Sequence, residues 1–354
     1  MPEKKINILA LENKFYYDEL ILFNLEKYDV TYNGMDLYKN SDEELLKYEY
    51  IINFTFNSPT INFIIYRAKK LKIKTVLIAD GIFEWSNSFN NKNFNNVNLY
   101  HPIINDYFLA VGENEANYFN FKNTITHKFL PIRMKPKLEK IKKAGTNKFL
   151  ITTANTAYHN LDEKIKLIEL IQKIVQNLES LNLKYSFRIF DSDLIKSLNI
   201  KANSNIINID FEDCLYDFDF IITTPSSISF LAMYHERAVA HMMYRDAPIF
   251  INCGWNINNL INLKSTFKNM MKFDENRMDY QKFQVLNYLS TSSFENKNFK
   301  TIINPKEKEF TSREKILNDM IMSRYNINME SFFRKLYLRL KKYNSVIKFI
   351  KKLK

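Results

Sequence analysis

A short polar segment, TTPSS at 223–227, lies between an apolar strand-like segment and a helical pattern. Thr224 fits the N-cap position of that helix, and Pro225 fits its first helical position. The first turn carries no acidic residue, so its free amides and hydroxyl groups could hold an anion such as phosphate. The segment is therefore either an ordinary helix cap or a phosphate site, with Thr224, Ser226 and Ser227 as the ligands.

A second polar strand end occurs in LITTANTAYHN at 150–160. It follows the first apolar segment of the second half of the chain and precedes a long helical pattern. Thr152, Thr153 and Asn155 offer hydroxyl and amide groups to the cleft that such strand ends face. Two of these ends in one domain favour a bound nucleotide. Neither GxGxxG nor GxxxxGK occurs in the sequence, which argues against a dinucleotide-dependent dehydrogenase and a P-loop ATPase.

The first half of the chain has a comparable strand end in LIADGIFEW at 77–85. Asp80 lies where the apolar segment stops, Gly81 allows a sharp turn, and Glu84 follows. A carboxylate at this position could take a proton from a hydroxyl group. We take Asp80 and Glu84 as the candidate catalytic carboxylates, with a simple Asp-Gly turn as the alternative.

Metal ligands are not indicated by the sequence. Asp191 and Asp193 could hold a divalent cation, but they more simply begin a helix at 192–198. The five histidines are scattered, and His235 is expected at the surface beside charged neighbours. The two cysteines occur in unrelated contexts, which fits a reducing compartment. We therefore expect no metal and no cofactor.

The elements that would position these residues alternate between strand-like and helical patterns. Apolar strand-like segments lie at 6–11, 29–34, 50–56, 75–80, 106–112, 148–154, 185–190, 205–210, 219–224 and 238–243. Near-continuous apolar strands of this kind are typical of parallel sheets that helices cover on both faces. A polar, basic stretch at 140–148 predicts a linker. The sequence thus predicts an α/β protein with domains at 1–143 and 144–326, which face a cleft, and a tail at 327–354.

Positive charge is concentrated at the C-terminal end. The 354 residues carry a net charge of +12, and the stretch 331–354 contains nine basic residues and no acidic one. Apolar residues alternate with these cations at helical spacing, which predicts a basic amphipathic helix on an anionic membrane surface. A nucleic-acid tail or a solvated, protein-binding tail is the alternative. No apolar run of 18 residues and no signal peptide is found, so we expect a cytoplasmic protein, peripheral at the inner membrane face.

Two motifs carry a resemblance to a known family. Ala79-Asp80-Gly81 and Ser226-Ser227, with the following ISFLAMYHERAVAH, resemble motifs of GT-B glycosyltransferases. More narrowly, they are similar to those of bacterial capsule and lipopolysaccharide sialyl- or Kdo-type transferases and of teichoic-acid glycerophosphotransferases. The resemblance implies two Rossmann-like domains and C-terminal helices. It implies that Asp80 is the general base and that Ser226 and Ser227 hold the phosphate of a nucleotide donor, which the sialyl and Kdo types use as a CMP-sugar.

The sialyl and Kdo types also have a His-Pro motif after a strand of the second domain. The corresponding strand here ends FRIFD at 187–191 without a histidine. Arg188 is the cation available to take over its role at the leaving phosphate.

The sequence as a whole predicts an inverting, metal-independent glycosyltransferase. It would move a sugar from a nucleotide donor to a glycan or glycolipid hydroxyl in surface-polysaccharide synthesis. Two alternatives stay open: a CDP-alditol glycerophosphotransferase and a non-catalytic binding protein of polysaccharide export. A nucleotide-sugar epimerase would share the fold but would not need a membrane tail. Nucleic acid is not an expected partner.

Overall fold

The computed structural model describes residues 4–56, 58–84, 103–120, 124–245, 248–295, 299 and 336. The tail predicted at 327–354 lies outside the described residues, apart from Leu336. Within the described part, no helix combines the length and the apolar character needed to cross a bilayer.

Six parallel strands form the sheet of the first domain. They are β1 (Ile6–Ala10), β2 (Tyr28–Thr31), β3 (Tyr50–Asn53), β4 (Lys74–Ile78), β5 (Tyr107–Val111) and β6 (Ile125–Phe129). Their order in the sheet is β2-β1-β3-β4-β5-β6. The helices are α1 (Lys14–Asp18), α2 (Asp42–Leu45), α3 (Pro59–Lys70) and α4 (Gly112–Tyr118), with 3-10 helices at Gly34–Lys39 and Ile132–Met134. Strands β3 and β5 are buried throughout, as expected of a parallel sheet covered on both faces.

Five parallel strands form the sheet of the second domain. They are β7 (Phe149–Thr152), β8 (Tyr185–Arg188), β9 (Phe220–Thr223), β10 (Ala238–Met242) and β11 (Trp255–Ile257). Their order is β11-β10-β9-β7-β8. The helices are α5 (Leu161–Ser180), α6 (Ser192–Ser197), α7 (Phe211–Cys214), α8 (Ser227–Tyr234), α9 (Leu263–Met271) and α10 (Glu275–Tyr288), with a 3-10 helix at Ala202–Ser204.

The two sheets share one strand order. When the strands of each domain are numbered along the chain, both sheets contain the series 2-1-3-4-5. In such doubly wound sheets, the loops after the first and third strands diverge to opposite faces and open a crevice. The predicted fold class, two Rossmann-like α/β domains with helices toward the C-terminal side, is confirmed.

The two domains share one hydrophobic core beside the cleft. Helices α4, α8 and α10 pack together there, and Phe250 and Tyr288 lie among them. Gly112 begins α4 with φ at +75°, and a Cβ at this position would collide with the ring of Tyr288. The close approach of α10 to the first domain therefore requires a glycine at this point.

The stretch predicted as a linker is bound to the second domain. The backbone amides of Gly145, Thr146 and Asn147 donate to the carboxylate of Asp219 at 2.8–3.1 Å. His235 was expected at the surface, but it is fully buried. Its Nδ1 accepts a hydrogen bond from the Ile141 amide at 3.1 Å, and its Nε2 lies 2.8 Å from Glu212 Oε1.

Arg237 is also fully buried, and its guanidinium group binds backbone carbonyl groups. The acceptors are Ile141 at 3.3 Å, Lys142 at 2.8 Å, Leu215 at 2.7 Å and His235 at 2.7 Å. Two of these carbonyl groups belong to the linker stretch. Arg237 therefore fixes the linker to the strand and helices of the second domain.

The chain returns to the first domain after α10. The Leu22 amide donates to the Ser292 carbonyl at 2.9 Å, and the Phe294 amide donates to the Leu22 carbonyl at 3.0 Å. Phe294 and Phe299 pack on the face of the first sheet. Phe294 and Phe299, which fall inside the range 144–326 predicted for the second domain, therefore belong to the core of the first domain.

Candidate functional site

A cavity of about 320 Å³ lies between the carboxyl ends of the two sheets. The first domain lines it with the loop after β4, with Glu115 and with Arg133. The second domain lines it with Ala154, Thr156, Ser226 and Ser227. Ligands of doubly wound folds bind at this edge. The structure therefore brings the predicted Asp80 strand end and the predicted Ser226-Ser227 segment into one site.

Asp80 lies two residues beyond the end of β4 and is exposed to the cavity. Its side chain is 58% exposed, and it forms an ion pair with Arg133 at 3.5 Å. A Cβ added at Gly81 would lie 3.2 Å from a guanidinium nitrogen of Arg133, so the glycine leaves room for this ion pair. The Asp80 carboxylate is therefore accessible to a ligand in the cavity.

Glu84 bridges the two domains. Its carboxylate lies 3.4 Å from His159 Nε2 and 3.7 Å from Arg245, both of which belong to the second domain. Arg245 in turn lies 3.4 Å from Glu163 at the start of α5. Glu84 also lines the cavity. The Glu84 carboxylate thus takes part in a cluster of charged side chains from both domains. Of the two predicted carboxylates, Asp80 has fewer contacts with other charged groups.

The N-cap of α8 is Ser226, and the N-cap prediction for Thr224 is wrong. Ser226 has extended backbone angles, and its hydroxyl makes no capping hydrogen bond. That hydroxyl is buried without a hydrogen-bond partner in the described part of the protein. The first turn of α8 contains no acidic residue. Ser226, Ser227 and the free amides of α8 therefore present an uncompensated positive helix end to the cavity.

The predicted threonines divide into three arrangements. Thr224 accepts a hydrogen bond from the Ala154 amide at 2.8 Å, which ties together the loops after β7 and β9. Thr153 is fully buried, and its hydroxyl has no partner among the described residues. Thr152 donates to the Arg188 carbonyl at 2.8 Å inside the sheet, so its hydroxyl is used between strands.

Strands β7 and β9 flank the point where the strand order of the second sheet reverses. Thr153 follows β7, and Thr224 and Ser226 follow β9. Ligands of open α/β sheets bind at this reversal point, outside the carboxyl ends of the strands. The two unpartnered hydroxyl groups, of Thr153 and Ser226, thus belong to the region where the fold places a ligand.

Five of the predicted phosphate ligands do not line the cavity in its described part: Thr152, Thr153, Asn155, Arg188 and Thr224. Arg188 is 9% exposed, and its guanidinium group lies 4.8 Å from the Phe190 ring centroid and 5.8 Å from that of Phe211. Neither Arg188 nor Asn155 lines the cavity in its described part. Asn155 is exposed on the loop after β7. A substitute for the missing His-Pro motif is therefore not supplied by Arg188 in this arrangement.

Glu115 and Arg133 were missed by the sequence analysis. Glu115 on α4 is fully buried in the cavity wall, and one carboxylate oxygen accepts from the Phe83 amide at 3.1 Å. Burial, with a smaller contribution from the charge of Asp80, raises the pKa of Glu115 to about 8. In sequence it looks like an ordinary acidic residue in the first turns of a helix, so only its depth in the fold distinguishes it.

A metal site is not apparent in the described residues, which contain no cluster of three or more His, Cys, Asp or Glu side chains. Asp191 is the N-cap of α6 and accepts from the amides of Asp193 and Leu194. The prediction that this segment begins a helix is confirmed.

Comparison with known proteins gives similarity only at the level of solved structures. No protein-family model matches the chain, and no curated protein matches it in sequence. The chain is similar to a putative UDP-N-acetylglucosamine 2-epimerase from Listeria monocytogenes, with 10% identity, a TM-score of 0.49, and coverage of 80% of this chain and 92% of that chain.

Two further solved structures are similar over most of their length. One is the S. aureus MnaA–UDP complex, with 14% identity, a TM-score of 0.48, and coverage of 89% of this chain and 97% of that chain. The other is a glycosyltransferase from Rickettsia africae, with 12% identity, a TM-score of 0.45, and coverage of 90% and 100%. At such identities the similarity concerns the fold alone, and the reaction must be argued from the cleft.

Proposed function

We propose that the protein is a glycosyltransferase that moves a sugar from a nucleotide donor to a hydroxyl group. One observation carries the proposal. A single cavity has the exposed carboxylate of Asp80 on one wall, and the acid-free N-terminus of α8 with the hydroxyl of Ser226 on the other. An anion site facing a proton acceptor is what hydroxyl attack on a phosphate-activated sugar needs.

The proposed reaction proceeds in one displacement. Asp80 takes the proton of the acceptor hydroxyl as its oxygen forms a bond to the anomeric carbon. The bond between that carbon and the phosphate oxygen breaks, and the electron pair leaves with the nucleotide. Ser226, Ser227 and the amides at the start of α8 stabilise the charge on the leaving phosphate. Attack from the face opposite the phosphate inverts the anomeric centre, and no metal ion is needed.

The finer donor assignment follows from the resemblance of Asp80-Gly81 and Ser226-Ser227 to capsule and lipopolysaccharide enzymes. It favours a CMP-activated nonulosonic acid or Kdo as donor, and a glycan or glycolipid of the cell surface as acceptor. The proposal is tested by thermal unfolding of the full chain with CMP, CDP, UDP, GDP and TDP, with and without EDTA. A nucleotide at a hundredfold excess over its Kd stabilises the folded state by about 2.7 kcal/mol.

Stabilisation by CMP alone, unchanged by EDTA, would support the whole assignment. Stabilisation by UDP or GDP would keep a nucleotide-sugar enzyme and overturn the CMP donor. No response to any of the five nucleotides would contradict the proposed function and leave the TTPSS segment as a helix cap.

Replacing Ser226 with alanine is expected to weaken binding of the stabilising nucleotide about tenfold, since a hydrogen bond to a charged group is lost. The free energy of unfolding without ligand should change by no more than about 0.5 kcal/mol, because the Ser226 hydroxyl has no partner among the described residues. Isothermal titration and urea unfolding measure the two quantities.

Ser41→Ala is the matched control. Ser41 is the N-cap of α2 and, like Ser226, makes no side-chain capping bond. It should leave nucleotide affinity unchanged. Equal affinity of the Ser226→Ala protein and the unmodified protein would remove Ser226 from the phosphate site.

We further propose that the basic tail holds the protein at the inner face of the cell membrane, where lipid-linked acceptors are made. The stretch 331–354 contains nine basic residues and no acidic one, and each cation near an anionic surface contributes about 1 kcal/mol. The full chain should sediment with phosphatidylglycerol vesicles and be released by salt. A chain ending at Met329 should stay in the supernatant, and neutral vesicles serve as the control. Sedimentation of the shortened chain would disprove the role of the tail.

A further inference from the structure

Glu115 has one oxygen, Oε1, without a close hydrogen-bond partner in the described part of the protein. The carboxyl group is fully buried and lies in the cavity wall. Oε2 accepts from the Phe83 amide at 3.1 Å. Oε1 has no hydrogen-bond partner within the described residues. The hydrogen bond to Oε2 fixes the loop that carries Asp80. It does not account for Oε1, and a buried oxygen without a hydrogen bond is rare in native proteins because it costs free energy.

The surroundings of Glu115 determine its protonation. Asp80 and Glu84 lie on the loop after β4, Arg133 also lines the cavity, and Tyr288 packs against the start of α4 from α10. Burial raises the pKa of Glu115 to about 8, the charge of Asp80 adds to the increase, and backbone groups at Phe83 and Val111 oppose it. At neutral pH the proton is therefore retained. Because Oε2 already accepts a hydrogen bond, the proton belongs on Oε1.

We propose that Glu115 is a substrate-contacting carboxylic acid whose Oε1–H group donates a hydrogen bond to a hydroxyl oxygen of the acceptor sugar. Asp80 accepts from another hydroxyl of the same sugar. The cavity wall thus offers one acceptor and one donor, which match a polyhydroxylated ring that presents two hydroxyl groups. This inference rests on the proposed function, and it specifies the acceptor as a sugar bound through a pair of hydroxyl groups.

Three variants separate this role from a structural one. Glu115→Gln keeps a neutral donor, and Glu115→Met removes the donor at similar length. Glu113→Gln is the matched control, because Glu113 lies on the same helix and is exposed. Binding of the methyl glycosides of glucose, galactose and N-acetylglucosamine is measured by saturation-transfer NMR without nucleotide, at about pH 6.5 and about pH 9.

The unmodified protein should bind at least one glycoside at the lower pH and lose about tenfold in affinity at the higher one, as Glu115 ionises. Glu115→Gln should bind equally at both values, and Glu115→Met should bind at least about tenfold more weakly at both. Glu113→Gln should behave as the unmodified protein. Binding that does not depend on pH, normal binding by Glu115→Met, or no glycoside binding at all would overturn the proposal.

A second measurement tests the protonation state without ligand. The folded-state pKa of Glu115 lies above the unfolded value, so its contribution to stability is present below about pH 4.5 and is lost as pH rises to about 8. The unmodified protein should therefore lose stability relative to Glu115→Gln across this window in urea unfolding. Parallel curves would overturn the neutral acid. Nucleotide binding plays no part in either experiment, so failure of this inference and failure of the proposed function are distinguishable.

Discussion

Replacing Asp80 with asparagine is expected to slow sugar transfer by about 10²–10⁴-fold, the range that positioned proton transfer contributes. The affinity for the donor nucleotide should remain close to that of the unmodified protein, because Asp80 lies on the loop after β4 and the proposed phosphate ligands lie at the start of α8. Transfer is measured with the nucleotide sugar identified by thermal unfolding, and affinity is measured by titration.

Asp42→Asn is the matched control for this prediction. The Asp42 side chain is also 58% exposed and also pairs with an arginine, Arg67, at 2.7 Å, but it lies on α2 outside the cavity. It should leave transfer unchanged. An Asp80→Asn protein with full turnover would disprove the general base, and an equal loss in both variants would point to stability instead of chemistry.

Replacing Arg237 with methionine is expected to destabilise the protein by at least about 4 kcal/mol. The substitution keeps most of the side-chain volume but removes the donors that bind four backbone carbonyl groups. Each buried carbonyl left without a partner costs about 1–3 kcal/mol. Urea unfolding followed by circular dichroism measures the loss.

Arg277→Met provides the comparison. Arg277 is exposed and donates to the Gly254 carbonyl at 3.3 Å, so its replacement should cost no more than about 0.5 kcal/mol. A loss below about 1 kcal/mol for Arg237→Met would mean that the linker is held to the second domain by other contacts.

The fold was largely predictable because parallel strands that helices cover on both faces have short, continuous apolar sequences. The exception at 205–210 has a physical cause. Asn205 bonds to both backbone groups of Ile189 with its side-chain amide, at 3.0 and 2.9 Å, so this apolar segment meets the sheet edge only at one bridge. Strand β6 was missed because its sequence, ITHKF, is only partly buried and polar in the middle.

The grouping of some candidate residues in one cavity was predictable where strand ends determine it. Asp80, Ser226 and Ser227 meet in one cavity because the carboxyl ends of parallel strands do so in this fold class. Arg133 and Glu115 reach the same cavity from a 3-10 helix and from α4. Their place in the cavity depends on how deeply they are buried and on neighbours that are distant in sequence. Residue type and spacing carry no information about either.

The return of the chain to the first domain has a consequence for biosynthesis. Phe299 accepts a hydrogen bond from Tyr107, which is 192 residues earlier in the chain, and Phe294 packs against Tyr28 and Tyr50. During translation the first domain therefore has one aromatic face without its cover until the ribosome has passed residue 299. A nascent chain stalled near residue 290 should bind a hydrophobic dye that the released protein does not bind. Nearly all of the described chain must be synthesised before the first sheet, which is made earliest, has its aromatic face covered. The unfinished chain is therefore accessible to chaperones for most of its synthesis.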